Sequence, residues 1–202
     1  KASNLLALAN DHVSITLYSL DVTDENNMRQ IATSIQRKVD ILVCNAGALN
    51  SYGGLEDEAH NSHAIETVLM TNIAGVFFTA RSFLPHLLAN SEKSDQRSDT
   101  HGKIAVISSI MGSQERAGSN APIYRASKAG ATNLARALAI ELAPRGIAVG
   151  AYHPGWVRTD MGGPLASLSP QESAIGLLAR FDELTLARTG IYESYNGEKL
   201  PF

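Results

Sequence analysis

Val39-Asp40-Ile41-Leu42-Val43-Cys44, followed at once by Asn45-Ala46-Gly47, is the stretch that decides how the chain is read. An apolar run of this kind suits a parallel strand buried on both faces. The small, turn-forming trio after it puts hydrogen-bonding groups at the strand's carboxyl end. The arrangement recurs downstream, where Lys103–Ser108 ends on Ser108-Ser109 and Ile147–His153 runs into Pro154-Gly155. Further strands are expected over Val13–Leu20, which ends in Asp21-Val22, and over Ile191–Tyr195. Longer helical patterns alternate with these runs. They cover Lys1–Asn10, the segment from a Thr23 or Asp24 cap to about Arg37, His63–Asn90 with a bend near Pro85, Tyr124–Ala143, and Gln171–Arg188. In Tyr124–Ala143 the leucines 134, 138 and 142 share one face, and Pro144 and Gly146 stop the helix. Ser91–Gly102 and Gly112–Ala121 are polar and read as loops. Strands alternating with helices indicate an α/β fold with a mostly parallel sheet, here one layered domain over residues 1–202.

Composition narrows the function. The 202 residues are 44% hydrophobic and 18% charged, which is globular rather than disordered. Seventeen basic against twenty acidic residues leave a net charge of −3, so no footprint for nucleic acid or an anionic membrane is expected. No apolar run is read as reaching the length of a membrane span. The single cysteine, Cys44, cannot close an internal disulfide, and no signal peptide is recognised at the start, so a cytoplasmic setting is expected.

Ligands of open parallel sheets bind beyond the carboxyl ends of the strands. Asn45-Ala46-Gly47, Ser108-Ser109 and His153-Pro154-Gly155 therefore share one edge, with small residues that let a flat polar cofactor approach the backbone. Each trio alone is ordinary turn chemistry. The helix opening at Tyr124 carries Lys128 one turn on, on the same face. A phenol titrates near 10, and an adjacent ammonium favours the phenolate, drawing it toward acid–base work at neutral pH.

The ordered set Asn45-Ala46-Gly47, Asn72, Ser109, Tyr124, Lys128 and Pro154-Gly155 resembles the short-chain dehydrogenase/reductase family, over essentially the whole chain. The Tyr124–Lys128 wording, the loop at Ser91–Gly102 and the ending around Tyr195–Pro201 are most similar to the C-factor/sniffer-type carbonyl reductases. The resemblance implies a Rossmann-like, doubly wound, three-layer parallel sheet. It implies an oxidoreductase that uses NAD or NADP and moves hydride between the nicotinamide and a small-molecule carbonyl or secondary alcohol. On it, Tyr124 is the general acid/base, Lys128 holds the nicotinamide ribose, Ser109 polarises the substrate oxygen, and Asn72, followed by Gly75, holds a relaying water. Asp21 and Val22 would meet the adenine. Asn45, Ala46, Gly47, Tyr124, Lys128, Pro154, Gly155, Val157 and Thr159 would line the cofactor site. A homodimer or homotetramer is also implied, with the His63–Asn90 and Tyr124–Ala143 helices pairing between subunits.

The sequence departs from the family pattern in three places. Cys44 stands where the family has a first Asn, and Ser109 lies fifteen residues before Tyr124, so the Gly112–Ala121 loop is expected to bulge over the substrate pocket. Ser108 is the alternative to Ser109. The family's glycine-rich fingerprint is not found, and two strands with a helix between them are expected before Lys1, together with the residue that usually separates NAD from NADP. Without those strands Val13–Leu20 loses both neighbours and the diphosphate its helix N-terminus. The alternative function is a non-catalytic binding or signalling module that keeps the fold without a cofactor. His60 and His63 near Glu56, Asp57 and Glu58 read as a solvated loop and helix start, with no metal expected. Cys44 reads as a buried small hydrophobe, and a serine hydrolase is disfavoured because Ser109 has no nucleophile elbow.

Overall fold

The apolar runs pair side by side as a parallel sheet. The computed structural model describes residues 3–88 and 100–202. In it β1 (Ile41–Cys44), β2 (Gly102–Ile107), β3 (Ile147–His153) and β4 (Tyr192–Ser194) lie parallel in the order β1-β2-β3-β4. The register sets Leu42 beside Ile104, Ile104 beside Val149, and Ala151 beside Tyr192. β2 and β3 are central and buried on both faces, which is why they read as unbroken apolar runs.

Alternate side chains sort the core into two layers. Ile104, Val106, Val149 and Ala151 join Leu138 and Leu142 in the larger cluster, beneath α4 (Gly75–Leu88) and α5 (Pro122–Leu142). Ala105, Ile107 and Tyr152 meet Phe181 of α6 (Pro170–Glu183) on the opposite face. This is the three-layer, doubly wound arrangement expected from the sequence. Ser169 caps α6 through a reciprocal capping box with Glu172, a device that contributes about 1 kcal/mol. Of the two cap candidates for α2 (Glu25–Ser34), Asp24 does the work, accepting from Asn27 N at 3.0 Å.

Three expectations change. The single helix over 63–90 is α3 (Ser62–Leu69), a π-helical turn at Met70–Ala74, and α4, with Pro85 inside α4; Ala89 and Asn90 lie outside the described residues. By length and composition Ser62–Leu88 is also apolar enough to cross a membrane, contrary to the sequence reading. In this fold it packs against β1, β2 and α5. Most of the loop expected at Ser91–Gly102 falls outside the described residues as well.

The third change is the strand at Val13–Leu20, which does not form. The segment follows α1 (Ser3–Asp11) without a backbone ladder, and its end is held off the outer edge of β1 by a cavity of about 160 Å³ lined by Leu20, Val22 and Val43. Alternating apolar residues make a strand only when another strand takes their N–H and C=O groups. Among the described residues none lies there, and Val13 stays fully exposed.

Candidate active site

β2 ends at Ile107, and the next two serines part company. Ser108 points inward: its Oγ sits 2.6 Å from Thr132 Oγ1, and both hydroxyls reach the Lys128 carbonyl, at 3.1 and 2.9 Å. Those contacts are interior. Ser109 instead caps the short turn Ile110–Gly112, accepting from Met111 N at 3.2 Å, which leaves its own hydrogen to donate into the cleft. Both serines line the cleft, but the Ser108 hydroxyl is taken up by those interior contacts, whereas Ser109 keeps its donor. Gly112 allows this turn to sit on α5, because a Cβ there would stand 2.7 Å from the Lys128 carbonyl carbon.

α5 begins with Pro122 after Ala121, whose left-handed backbone (φ 48°) is tied by its N–H to Tyr52 O and Gly53 O. Tyr124 and Lys128 then face the cleft on adjacent turns. Lys128 is 4% exposed, and its Nζ donates to Ile107 O at 2.8 Å. An ammonium has three donors, so two remain for an incoming group. Burial pulls Lys128 down to about 8. Tyr124 moves up from its ordinary value: burial dominates, the Ser109 hydroxyl opposes it, and the Tyr52 phenol adds to it. The sequence expectation that Lys128 lowers Tyr124 is thus not met in this state. Lys128 Nζ lies 5.7 Å from the centre of the Tyr124 ring and is held on a backbone carbonyl.

A cleft of about 950 Å³ opens over these groups at the carboxyl ends of β1, β2 and β3. It brings together Asn45, Ala46, Gly47, Ser109, Tyr124, Lys128, Pro154, Gly155, Val157 and Thr159. Gly47 forms its floor, where a Cβ would lie 3.4 Å from Lys128 Nζ and 3.6 Å from Asn72 Oδ1.

Three expected residues are elsewhere. Asn72, in the π-helical turn, is 1% exposed behind the floor. Its Oδ1 accepts from Ala48 N at 2.7 Å, and its Nδ2 donates to Ala48 O (2.9 Å) and Ser127 Oγ (2.8 Å). With those bonds made, its amide fixes the backbone beside Gly47 and does not reach the cleft. Val22 lines the small cavity instead, which shares Asn45 and Ala46 with the cleft. Asp21 lines neither; its carboxylate accepts from Thr23 N and Oγ1 at 2.9 and 2.8 Å, which holds it below the usual range. The Gly112–Ala121 loop also leaves the cleft after Gly112: Arg125 ties it down through Asn120 O, Asn120 Oδ1 and Arg116 O.

The structure adds residues the motifs did not mark. Tyr52 reaches from the β1 loop to Met161 O at 3.2 Å, and both residues line the cleft. Trp156 and Leu177 add apolar wall. His153 closes β3 with a buried Nδ1 that has no partner, and burial pulls it down to about 4, with Arg116 acting the same way. His153 was in view as the first residue after a strand. Tyr52 carried no local signal beyond its place after β1.

The sequence pattern described as short chain dehydrogenase matches residues 2–168. C-signal of Myxococcus xanthus is 32% identical over 177 residues, 87% of this chain and 100% of that protein. Several other curated oxidoreductases are matched over 53% to 67% of their own length. Among solved structures, the carbonyl reductase Sniffer of D. melanogaster superposes with a TM-score of 0.91 at 26% identity, covering 100% of this chain and 84% of that one. The NADPH-bound carbonyl reductase from chicken fatty liver gives 0.87 at 27%, covering 100% and 82%. The likeness to the C-factor/sniffer type read from the sequence is borne out by these neighbours. With parallel sheet, cleft and family pattern in agreement, the chain belongs to the short-chain dehydrogenase family.

Proposed function

We propose that this chain is a single Rossmann-like domain of an NAD(P)-dependent oxidoreductase acting on a carbonyl or secondary alcohol, in the manner of a carbonyl reductase. The observation that carries it is the meeting of Tyr124, Ser109 and Lys128 over a floor of small residues in one cleft. That floor, with a buried cation holding two unspent donors, fits the nicotinamide and its ribose. The cofactor supplies or accepts the hydride. Asn45, Ala46, Gly47, Pro154, Gly155, Val157 and Thr159 would hold its nicotinamide end, and Lys128 would donate to the ribose hydroxyls. Ser109 donates to the substrate oxygen and fixes it beside Tyr124. In reduction the Tyr124 O–H bond breaks and its proton goes to the carbonyl oxygen as the carbonyl carbon takes the hydride. The phenolate left behind regains a proton from solvent; oxidation runs the same transfers backwards. A homodimer or homotetramer through α4 and α5 is part of this reading, since Phe77 and Ile140 on those helices are exposed.

Trp156, the only tryptophan, lies on the cleft wall and gives a direct test. Titration with NADH and NADPH should quench its fluorescence and sensitise nicotinamide emission, with one cofactor preferred, and the complex should reduce simple ketones or aldehydes. A second reading, a signalling or binding module, is favoured by the match that spans all of C-signal. Quenching by neither cofactor, with no carbonyl turnover, would leave that reading standing and remove the first.

A further inference from the structure

The three-residue strand β4 carries a side chain that reaches Ser109. Tyr192 is 3% exposed, and its hydroxyl donates to the Ser109 carbonyl, which also accepts from Gly112 N at 2.8 Å. The reach is unusual, because β4 and β2 are separated by β3, and neighbouring strands lie about 4.8 Å apart. The register explains it. The partner of Tyr192 on β3 is Ala151, whose methyl group lets the phenol lie across that strand. The ring is backed by Phe202, with centroids 5.5 Å apart, and Phe202 in turn lies under the Arg136 guanidinium at 4.0 Å.

The result is a backbone fixed at consecutive points. Lys128 Nζ holds Ile107 O, the Thr132 hydroxyl and Lys128 O hold the Ser108 side chain, and Tyr192 holds Ser109 O. The first two clamps come from α5, which also carries Tyr124. The third comes from the far edge of the sheet and is the one that acts on Ser109 itself. Ser109 has an extended backbone (φ −158°, ψ 147°), so a small rotation of its peptide would swing Oγ away from Tyr124.

We infer that Tyr192 is a positioning residue of the cleft: through the Ser109 carbonyl it aims the Ser109 hydroxyl at Tyr124 and at the substrate oxygen. This deepens the oxidoreductase reading and rests on it for its consequence, but the geometry can be tested without turnover. Burial pushes Tyr192 up to about 12, so it stays a donor across the working range.

Tyr192→Phe keeps the ring and deletes the hydroxyl, removing its donation to Ser109 O together with its contacts to the Ser108 and Thr132 hydroxyls. With the tyrosines 13C-labelled, NMR titration follows Tyr124 in the wild type, in Tyr192→Phe, in Ser109→Ala and in the double variant. Ser109 holds Tyr124 below the value burial alone would set. Both single variants should therefore raise the Tyr124 titration, by roughly half to one pH unit, and the double variant should add nothing further. If turnover is established, Tyr192→Phe should lower kcat about tenfold with the cofactor KM unchanged, and move the phenol limb of the pH profile upward. An unmoved Tyr124 titration in Tyr192→Phe, or shifts that add in the double variant, overturns the inference. A shifted titration in a protein that reduces no carbonyl would uphold the positioning and sink the oxidoreductase reading instead.

Discussion

The two faces of the sheet bury polar groups in opposite ways. Under α5, Ser108, Ser127, Thr132, Asn72 and Lys128 are all buried, and each makes at least one hydrogen bond. Under α6, Tyr152 OH, Glu193 Oε1 and Arg180 Nε are buried with no partner among the described residues. Glu193 has one good contact, from Arg188 at 2.8 Å, and Arg188 divides itself between Glu193 and Glu183. An unpartnered buried polar atom costs about 1–3 kcal/mol. The α5 side is thus the more finished network and holds a site in position, with His153 Nδ1 at the cleft left unpartnered, whereas the α6 side carries more desolvation that no contact offsets.

Two substitutions on the finished side should separate function from stability. Tyr124→Phe removes one hydroxyl and no packing. It should cut turnover by roughly 10²–10⁴-fold while the melting temperature stays within a degree or so. Turnover near the wild-type value would remove Tyr124 as the acid. Lys128→Met should move the two quantities in opposite directions. The folded protein holds Lys128 at about 8, against 10.5 for a free lysine, so the charged form disfavours folding. That penalty is full below about pH 8 and fades as pH rises toward 10.5, where both states are neutral. Its size at neutral pH is about 3 kcal/mol. Lys128→Met should therefore be the more stable protein at pH 7 by about 1–3 kcal/mol, should lose the rise in stability between pH 8 and 10.5, and should lose at least tenfold in kcat/KM. Denaturant melts across that pH range check the first two. A variant less stable than wild type at pH 7 would mean that the Ile107 bond outweighs desolvation.

The same contrast explains what could be read before the structure. β1, β2, β3 and α5 were legible because their apolar patterns are long, and Asn45, Ser109, Tyr124 and Lys128 converge because strand ends of a parallel sheet share an edge. Tyr124 and Lys128 are one helical turn apart, so their juxtaposition follows from period alone. Val13–Leu20 failed because alternation records which side chains could be buried and says nothing of whether a neighbouring strand is there to pair with. Asn72 was found, but its work was not: the bonds to Ala48 and Ser127 join positions far apart in the chain. The strand that carries Tyr192 was expected over Ile191–Tyr195 and forms as β4. The reach of its phenol to Ser109 was invisible for a related reason: it depends on the small size of Ala151 opposite.

The unfinished side yields the smallest effect and the sharpest check on the contrast. Burial raises Glu193 above the usual carboxylate range even though Arg188 pulls the other way. A carboxyl raised in the fold contributes stability at low pH, and that contribution is lost as pH climbs through its folded value, so at pH 7 the ionised group is a net burden. Glu193→Gln keeps the shape, still accepts from Arg188 through its amide oxygen, and can offer its NH2 to a neighbouring oxygen such as Tyr152 OH, its register neighbour on β3. Arg188 is not stranded by the change, because it is part-exposed and keeps Glu183. Stability at pH 7 should rise by about 1 kcal/mol or less, a shift of a few degrees for a chain of this size, with kcat and cofactor affinity unchanged. If the variant instead loses several kcal/mol, the Arg188–Glu193 pair is a net stabiliser, and the two faces are alike in being optimised for stability.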